Sequence, residues 1–287
     1  MKGLGLALHF ANGDAFFAGA LILAVSIGVL ATCTGRRVRL VARLSLFLGA
    51  ALIAASGTPL PVWAYLLWAA TVVYFLVVSR NEIGTRVVRV AACVSLALTA
   101  AACLSELPFH ISPVVHVPRG ADILVIGDSI TAGLNDDVTK WHQTFGHEGG
   151  YRIVDLAEPG ATLASALNLL RKREPGSRAA LAIVEIGGND MLESAPPERF
   201  ERELDALLSE AASRADRLLV MELPVPPFCT AYGSIQRRLA WMYSAALVPK
   251  RVLARVLGAP DATLDGLHLS QKGHDMMARE MSAIVRE

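Results

Sequence analysis

Ser129 lies in the stretch Gly127-Asp128-Ser129-Ile130-Thr131-Ala132-Gly133, directly after a short apolar run at 122–127. A serine at a strand-to-helix turn lifts its hydroxyl above the sheet, with its own N–H at a helix N-terminus, which is a place from which a nucleophile can attack. The stretch is not a phosphate loop, which needs GxxxxGK followed by Ser or Thr. Near the C-terminus stands Asp265-Gly266-Leu267-His268-Leu269-Ser270. A histidine takes a proton from a serine hydroxyl when a carboxylate on its other ring nitrogen fixes the tautomer and stabilises the imidazolium. Asp265 and His268, three residues apart on a turn, can make that bond locally; read alone, the pair is more readily a solvated turn. Between them come Pro159-Gly160-Ala161-Thr162 and Gly187-Gly188-Asn189-Asp190. The first is a loop glycine before a helix cap at Thr162, or a bare N–H offered to an anion. In the second, Asn and Asp are common turn residues, but an Asn amide can also donate to a developing oxyanion.

These residues need a frame. An apolar run at 122–127 reads as a strand buried on both faces, 152–157 as a second such run, and 180–186 and 217–223 as a third and a fourth strand. Between and after them, 162–173, 196–213, 232–247 and 271–286 have helical spacing, and 250–257 reads as a fifth strand. Strand and helix in alternation imply a parallel, doubly wound sheet, which binds ligands at the carboxyl ends of its strands. Ser129, Gly160 and Asn189 each fall just past such an end, and the order Ser…Asp…His suits a triad.

With the four blocks GDSITAG, PGAT, GGND and DGLHLS in this order, residues 119–287 resemble the SGNH hydrolase family, the GDSL esterases and lipases. The resemblance implies a three-layer α/β/α flavodoxin-like domain. It also implies Ser129 as nucleophile, His268 as general base and Asp265 as the residue orienting it. The oxyanion hole would be the N–H groups of Ser129 and Gly160 with the side-chain amide of Asn189. No metal or organic cofactor is expected. Many members carry Pro after the histidine, where this chain has Leu269, a difference in turn shape rather than chemistry. Asp128 and His274 read as structural. Trp141, His142 and His147 either line a substrate pocket or pack, and Glu185 reads as a buried polar group or an edge residue.

The rest of the chain is of another kind. Of 287 residues, 53% are hydrophobic and 18% charged, with a mean hydropathy of +0.44; soluble domains are typically about 25% charged. Residues 1–105 carry a net charge of +6 and the remainder −5. An acidic second half argues against nucleic-acid binding. The four cysteines have no CxxC spacing and no disulfide framework. Four apolar segments, at 15–34, 40–57, 61–79 and 87–104, are candidates to cross a bilayer, which takes about 20 residues. The first reads as a span rather than a cleaved leader. No polar cluster is evident within them, and Gly28 and Gly49 read as helix-packing residues. Arg36, Arg37, Arg39 and Arg43 follow the first segment, and Arg80, Arg86 and Arg89 follow the third. The positive-inside rule keeps both clusters in the cytoplasm, which puts the second domain on the far side.

The expected organisation is therefore a transmembrane helical domain at 1–105, an extended linker at 106–120 and a hydrolase-like domain at 121–287. The expected protein is a serine esterase or lipase, integral to a bacterial cytoplasmic membrane, with its catalytic domain periplasmic. Its partners would be the bilayer and an acyl-ester substrate, with a lipid of the envelope as one candidate. An O-acyltransferase or deacetylase acting on extracytoplasmic carbohydrate would use the same triad, and a non-catalytic envelope-binding module is a third reading.

Overall fold

Apolar stretches longer than a globular core needs set the first third of the chain. In the computed structural model, which describes residues 2–80, 84–134, 137–173 and 178–287, this part is helical: α1 (Lys2–Ala11), α2 (Asp14–Thr32), α3 (Arg36–Ala55), α4 (Val62–Arg80) and α5 (Thr85–Glu106). The chain divides into two units. One holds residues 9–108 and 225–230, the other the residues up to Leu8, 109–224 and 231–287.

In the helical unit, α2 to α5 are each long and apolar enough to cross a membrane. Leu21, Val25, Leu44, Phe47, Leu66 and Val73 stand exposed on their outer faces, an apolar surface that water would penalise. Inside, α2 and α3 touch backbone to backbone. A Cβ on Gly19 would lie 2.6 Å from the Gly49 carbonyl oxygen, and one on Gly49 2.7 Å from that of Gly19. Gly49 is thus a packing residue, whereas a Cβ on Gly28 would meet open space. A small hydrogen-bonded set not evident in the sequence joins α4 to α5: Trp68 Nε1 donates to Thr99 Oγ1 at 2.9 Å, and Ser95 Oγ to the Thr71 carbonyl at 3.1 Å.

The second unit is a five-stranded parallel sheet. Along the chain run β1 (Val115–His116), β2 (Asp122–Gly127), α6 (Ser129–Ala132), α7 (Trp141–Gly149), β3 (Arg152–Ala157), α8 (Leu163–Lys172), β4 (Leu181–Glu185), α9 (Gly188–Leu192), α10 (Pro197–Arg214), β5 (Leu218–Met221), α11 (Thr230–Met242), β6 (Ala246–Val248), α12 (Lys250–Gly258), α13 (Gln271–Ile284) and β7 (Val285–Arg286). The sheet order is β3-β2-β4-β5-β6. Alternate residues point to opposite faces. Ile123, Val125, Ile183 and Leu219 meet Phe145 of α7, Val252 and Val256 of α12, and Met277 and Met281 of α13. On the other face α8 and α10 pack together, burying Leu167 and Leu170 with Leu204 and Leu208. This is the α/β/α layering expected from the sequence.

Three local readings change. Residues 250–257 are helix, not strand: Val252, Leu253, Val256 and Leu257 recur at helical spacing, and Pro249 caps the N-terminus at φ −57°. The edge strand is Ala246–Val248, so the preceding helix stops at Met242. The 106–120 segment is not simply extended. Leu107–His110 forms a 3-10 turn, and β1 pairs in parallel with β7. Helix α1 was not foreseen; ten residues with a charge at one end give a weak periodic signal.

Candidate active site

β2 delivers the nucleophile turn. Gly127 ends the strand, and Asp128 caps α6, its Oδ1 accepting the Ile130 N–H at 2.9 Å. That cap satisfies an orphan donor of the short helix and leaves Ser129 as its first residue. The Asp128 N–H donates to the Glu185 carbonyl on β4 at 3.2 Å, which ties the turn to the neighbouring strand. Burial pushes the Asp128 carboxyl up to about 6.

Below the turn runs a buried chain. Trp141 Nε1–H donates to Thr131 Oγ1 at 3.2 Å, and Thr131 Oγ1–H donates to Glu185 Oε2 at 2.8 Å. Glu185 is fully buried on an inner strand, which removes the edge-residue alternative. Its carboxyl is raised well above the ordinary range, first by burial and then by the Asp128 charge.

The histidine loop closes over this turn. His268 Nε2 lies 3.1 Å from Ser129 Oγ, and His268 Nδ1 lies 2.6 Å from Asp265 Oδ2. Asp265 Oδ1 accepts the N–H groups of Leu267 at 3.0 Å and His268 at 2.9 Å. The backbone N–H and then the imidazole of His268 hold the Asp265 carboxyl far below the usual carboxylate range. The loop is closed by the Leu264 N–H donating to the His268 carbonyl and the Ser270 N–H to that of Ala262, with Leu269 buried beneath.

The other two blocks face the serine from β3 and β4. Gly160 has φ +74°, a conformation that disfavours a side chain. Neither its N–H nor that of Ser129 has a partner among the described residues. Thr162 caps α8, accepting from Ser165 N at 3.3 Å. Asn189 Nδ2 donates one hydrogen to the Ala161 carbonyl at 2.8 Å, which leaves its second for another acceptor. Asp190 Oδ2 accepts the Leu163 N–H at 3.0 Å. Neighbouring residues of one turn thus pin the other.

Ser129, His268, Asp265, Gly160 and Asn189 are therefore brought to one end of the sheet. Trp141 and His142 are buried in the core instead, His142 Nε2 lying 3.0 Å from Asp155 Oδ2, while His147 is exposed on α7. His274 is buried as well and accepts the Trp141 N–H on Nδ1 at 3.3 Å. Among the described residues no group of three or more His, Cys, Asp or Glu is placed to hold a metal ion. Sequence reasoning missed the Trp141–Thr131–Glu185 chain and the pinning role of Asp190, both made by residues far apart in the chain.

Residues 125–276, more than half of the chain, match the GDSL-like lipase/acylhydrolase family. Esterase TesA of Pseudomonas aeruginosa is 29% identical over 138 residues, 44% of this chain and 69% of that protein. The Escherichia coli protein named thioesterase 1/protease 1/lysophospholipase L1 is 25% identical over 184 residues, 57% of this chain and 84% of its own. The crystal structure of TesA superposes with a TM-score of 0.51 at 26% identity, covering 57% of this chain and 97% of that one. A psychrotrophic esterase EstA from a Pseudoalteromonas species shares the fold, with a TM-score of 0.50 at 22% identity.

Proposed function

The chain belongs to the GDSL-like lipase/acylhydrolase family, and from that premise we propose that it is a membrane-anchored serine esterase acting on an acyl ester of the envelope. Carboxylic ester hydrolysis is the activity its named relatives share. One observation carries the assignment of residues: a single imidazole lies within hydrogen-bond reach of both a serine hydroxyl and a carboxylate.

Ser129 Oγ attacks the ester carbonyl while His268 Nε2 takes its proton. Asp265 remains ionised and stabilises the imidazolium through Nδ1. The tetrahedral oxyanion is held by the N–H groups of Ser129 and Gly160 and the second Nδ2 hydrogen of Asn189. His268 returns the proton to the departing alcohol, leaving an acyl-serine. Water, activated by the same imidazole, then frees the acid.

Two features favour an acyl chain of lipid length. Leu134, Leu192 and Leu264 are exposed within five residues of Ser129, Asn189 and Asp265 in the chain. Four helices apolar enough to span a bilayer, in the same chain, would keep the site near lipid. The test is hydrolysis of p-nitrophenyl esters from acetyl to palmitoyl by the full chain in detergent, beside Ser129→Ala. Activity rising with chain length, and falling at least about a thousandfold in the variant, is the expected result. Full turnover by Ser129→Ala would sink the triad. Activity confined to acetyl would favour carbohydrate deacetylation or acyl transfer instead.

A further inference from the structure

Residues 15–105 contain seven basic residues, all arginine, and one carboxylate, Glu82, which falls outside the described residues. Arg39 joins two helix pairs at one end of the helical unit. Its Nη2 donates to the Ser79 carbonyl at 2.8 Å and its Nη1 to the Cys33 carbonyl at 3.4 Å. These oxygens lie at the C-terminal ends of α4 and α2, where carbonyls lack helical partners and the dipole is negative. Arg39 thus answers the negative charge that the helix ends supply.

A recess of about 520 Å3 opens beside it, lined also by Arg43, Arg80 and Arg89, with Leu30 and Val88 as apolar wall. Arg43 is half-buried, and neither it, Arg80 nor Arg89 has an ionic or hydrogen-bonding partner among the described residues. Arg43, Arg80 and Arg89 together with Arg39 thus place four positive charges around one recess. The guanidinium fork matches a pair of phosphate oxygens, and an apolar wall beside it matches acyl chains. Basic recesses between spanning helices have the chemistry to hold anionic headgroups.

We propose that this recess binds the phosphate headgroup of an anionic phospholipid. The proposal rests on the reading that α2 to α5 cross a bilayer. Orientation alone asks only for positive charge in the loops, and lysine would serve it as well as arginine. A phosphate site needs the fork, so exchanging arginine for lysine separates the two roles.

The experiment uses the full chain in a neutral detergent, with lipid binding read by native mass spectrometry. Phosphatidylglycerol is expected to bind about tenfold tighter than phosphatidylcholine, and inorganic phosphate not to displace it. Arg43→Lys with Arg89→Lys is expected to weaken phosphatidylglycerol about tenfold while elution as a single species on gel filtration is unchanged. Equal binding of the two lipids, or undiminished binding by the double variant, overturns the proposal. Displacement by inorganic phosphate alone overturns the lipid assignment in favour of a soluble anion. Release of the chain from membranes by alkaline carbonate would instead overturn the membrane reading on which it stands.

Discussion

Asn189 does two things with one amide, and this makes its substitution informative. One hydrogen holds the Ala161 carbonyl, and the other is the proposed oxyanion donor. Asn189→Ala should lower kcat about 100- to 1000-fold with KM changed far less, since the lost bond forms only in the transition state. Steady-state kinetics on a soluble ester checks this; an equal rise in KM with kcat intact would make Asn189 a binding residue. The residues proposed to carry the reaction were readable in the sequence because their signals are local. The Asp265–His268 bond spans three residues, and the Asp128 cap spans two. Glu185 could be read only as a buried polar group or an edge residue, because its partner Thr131 lies 54 residues away.

At the scale of elements, two interactions invisible in the sequence set testable limits. Helices α7 and α13 are joined where the Trp141 N–H donates to His274. Burial, reinforced by the nearby His142, pushes the His274 imidazole down to about 4, against about 6.5 when unfolded. The unfolded chain therefore binds the extra proton first. This group's stabilisation is complete above pH 6.5 and is lost as pH falls toward 4. Asp128 and Glu185, raised in the fold, act in the opposite direction, so the readout is a difference between variants. His274→Asn keeps an acceptor for Trp141 but cannot charge. It should gain stability relative to the parent as pH drops from 7 to 4.5, measured by thermal unfolding.

The second is an ion pair at the end of β5: Arg237 Nε donates to buried Glu222 Oε1 at 2.7 Å, its guanidinium 3.8 Å above the Phe109 ring. Arg237→Met strands a buried carboxylate and should cost about 3–5 kcal/mol, read from denaturant-induced unfolding followed by tryptophan fluorescence. The 122–127 and 180–186 runs were legible because a buried parallel strand is a short, nearly unbroken apolar stretch; 152–157 is a strand too, but at the sheet edge with Arg152 and Asp155 exposed, not buried on both faces. Residues 250–257 were not legible, because β-branched valines mimic that signal while their spacing is helical.

For the molecule as a whole, the charge split and the four apolar stretches were legible from composition alone. The exchange of short pieces between the units was not. The residues up to Leu8 belong with the α/β unit and 225–230 with the helical one, and neither segment carries a compositional mark. The positive-inside rule predicts that the arginine-rich loops stay in the cytoplasm. Protease added to intact spheroplasts should then digest the α/β unit without detergent. Protection until lysis would reverse the orientation.

The two hydrogen bonds of His268 differ in one further respect. That to Asp265 lies within a single closed loop, whereas that to Ser129 joins residues 139 apart in the chain. The imidazole and carboxylate thus travel together as one cassette, and only the serine distance records whether β2 and the loop before α13 hold their places. Turnover is in effect a gauge of long-range order. Gradual denaturation should silence the enzyme once that single distance lengthens, while helical content is still near its native value.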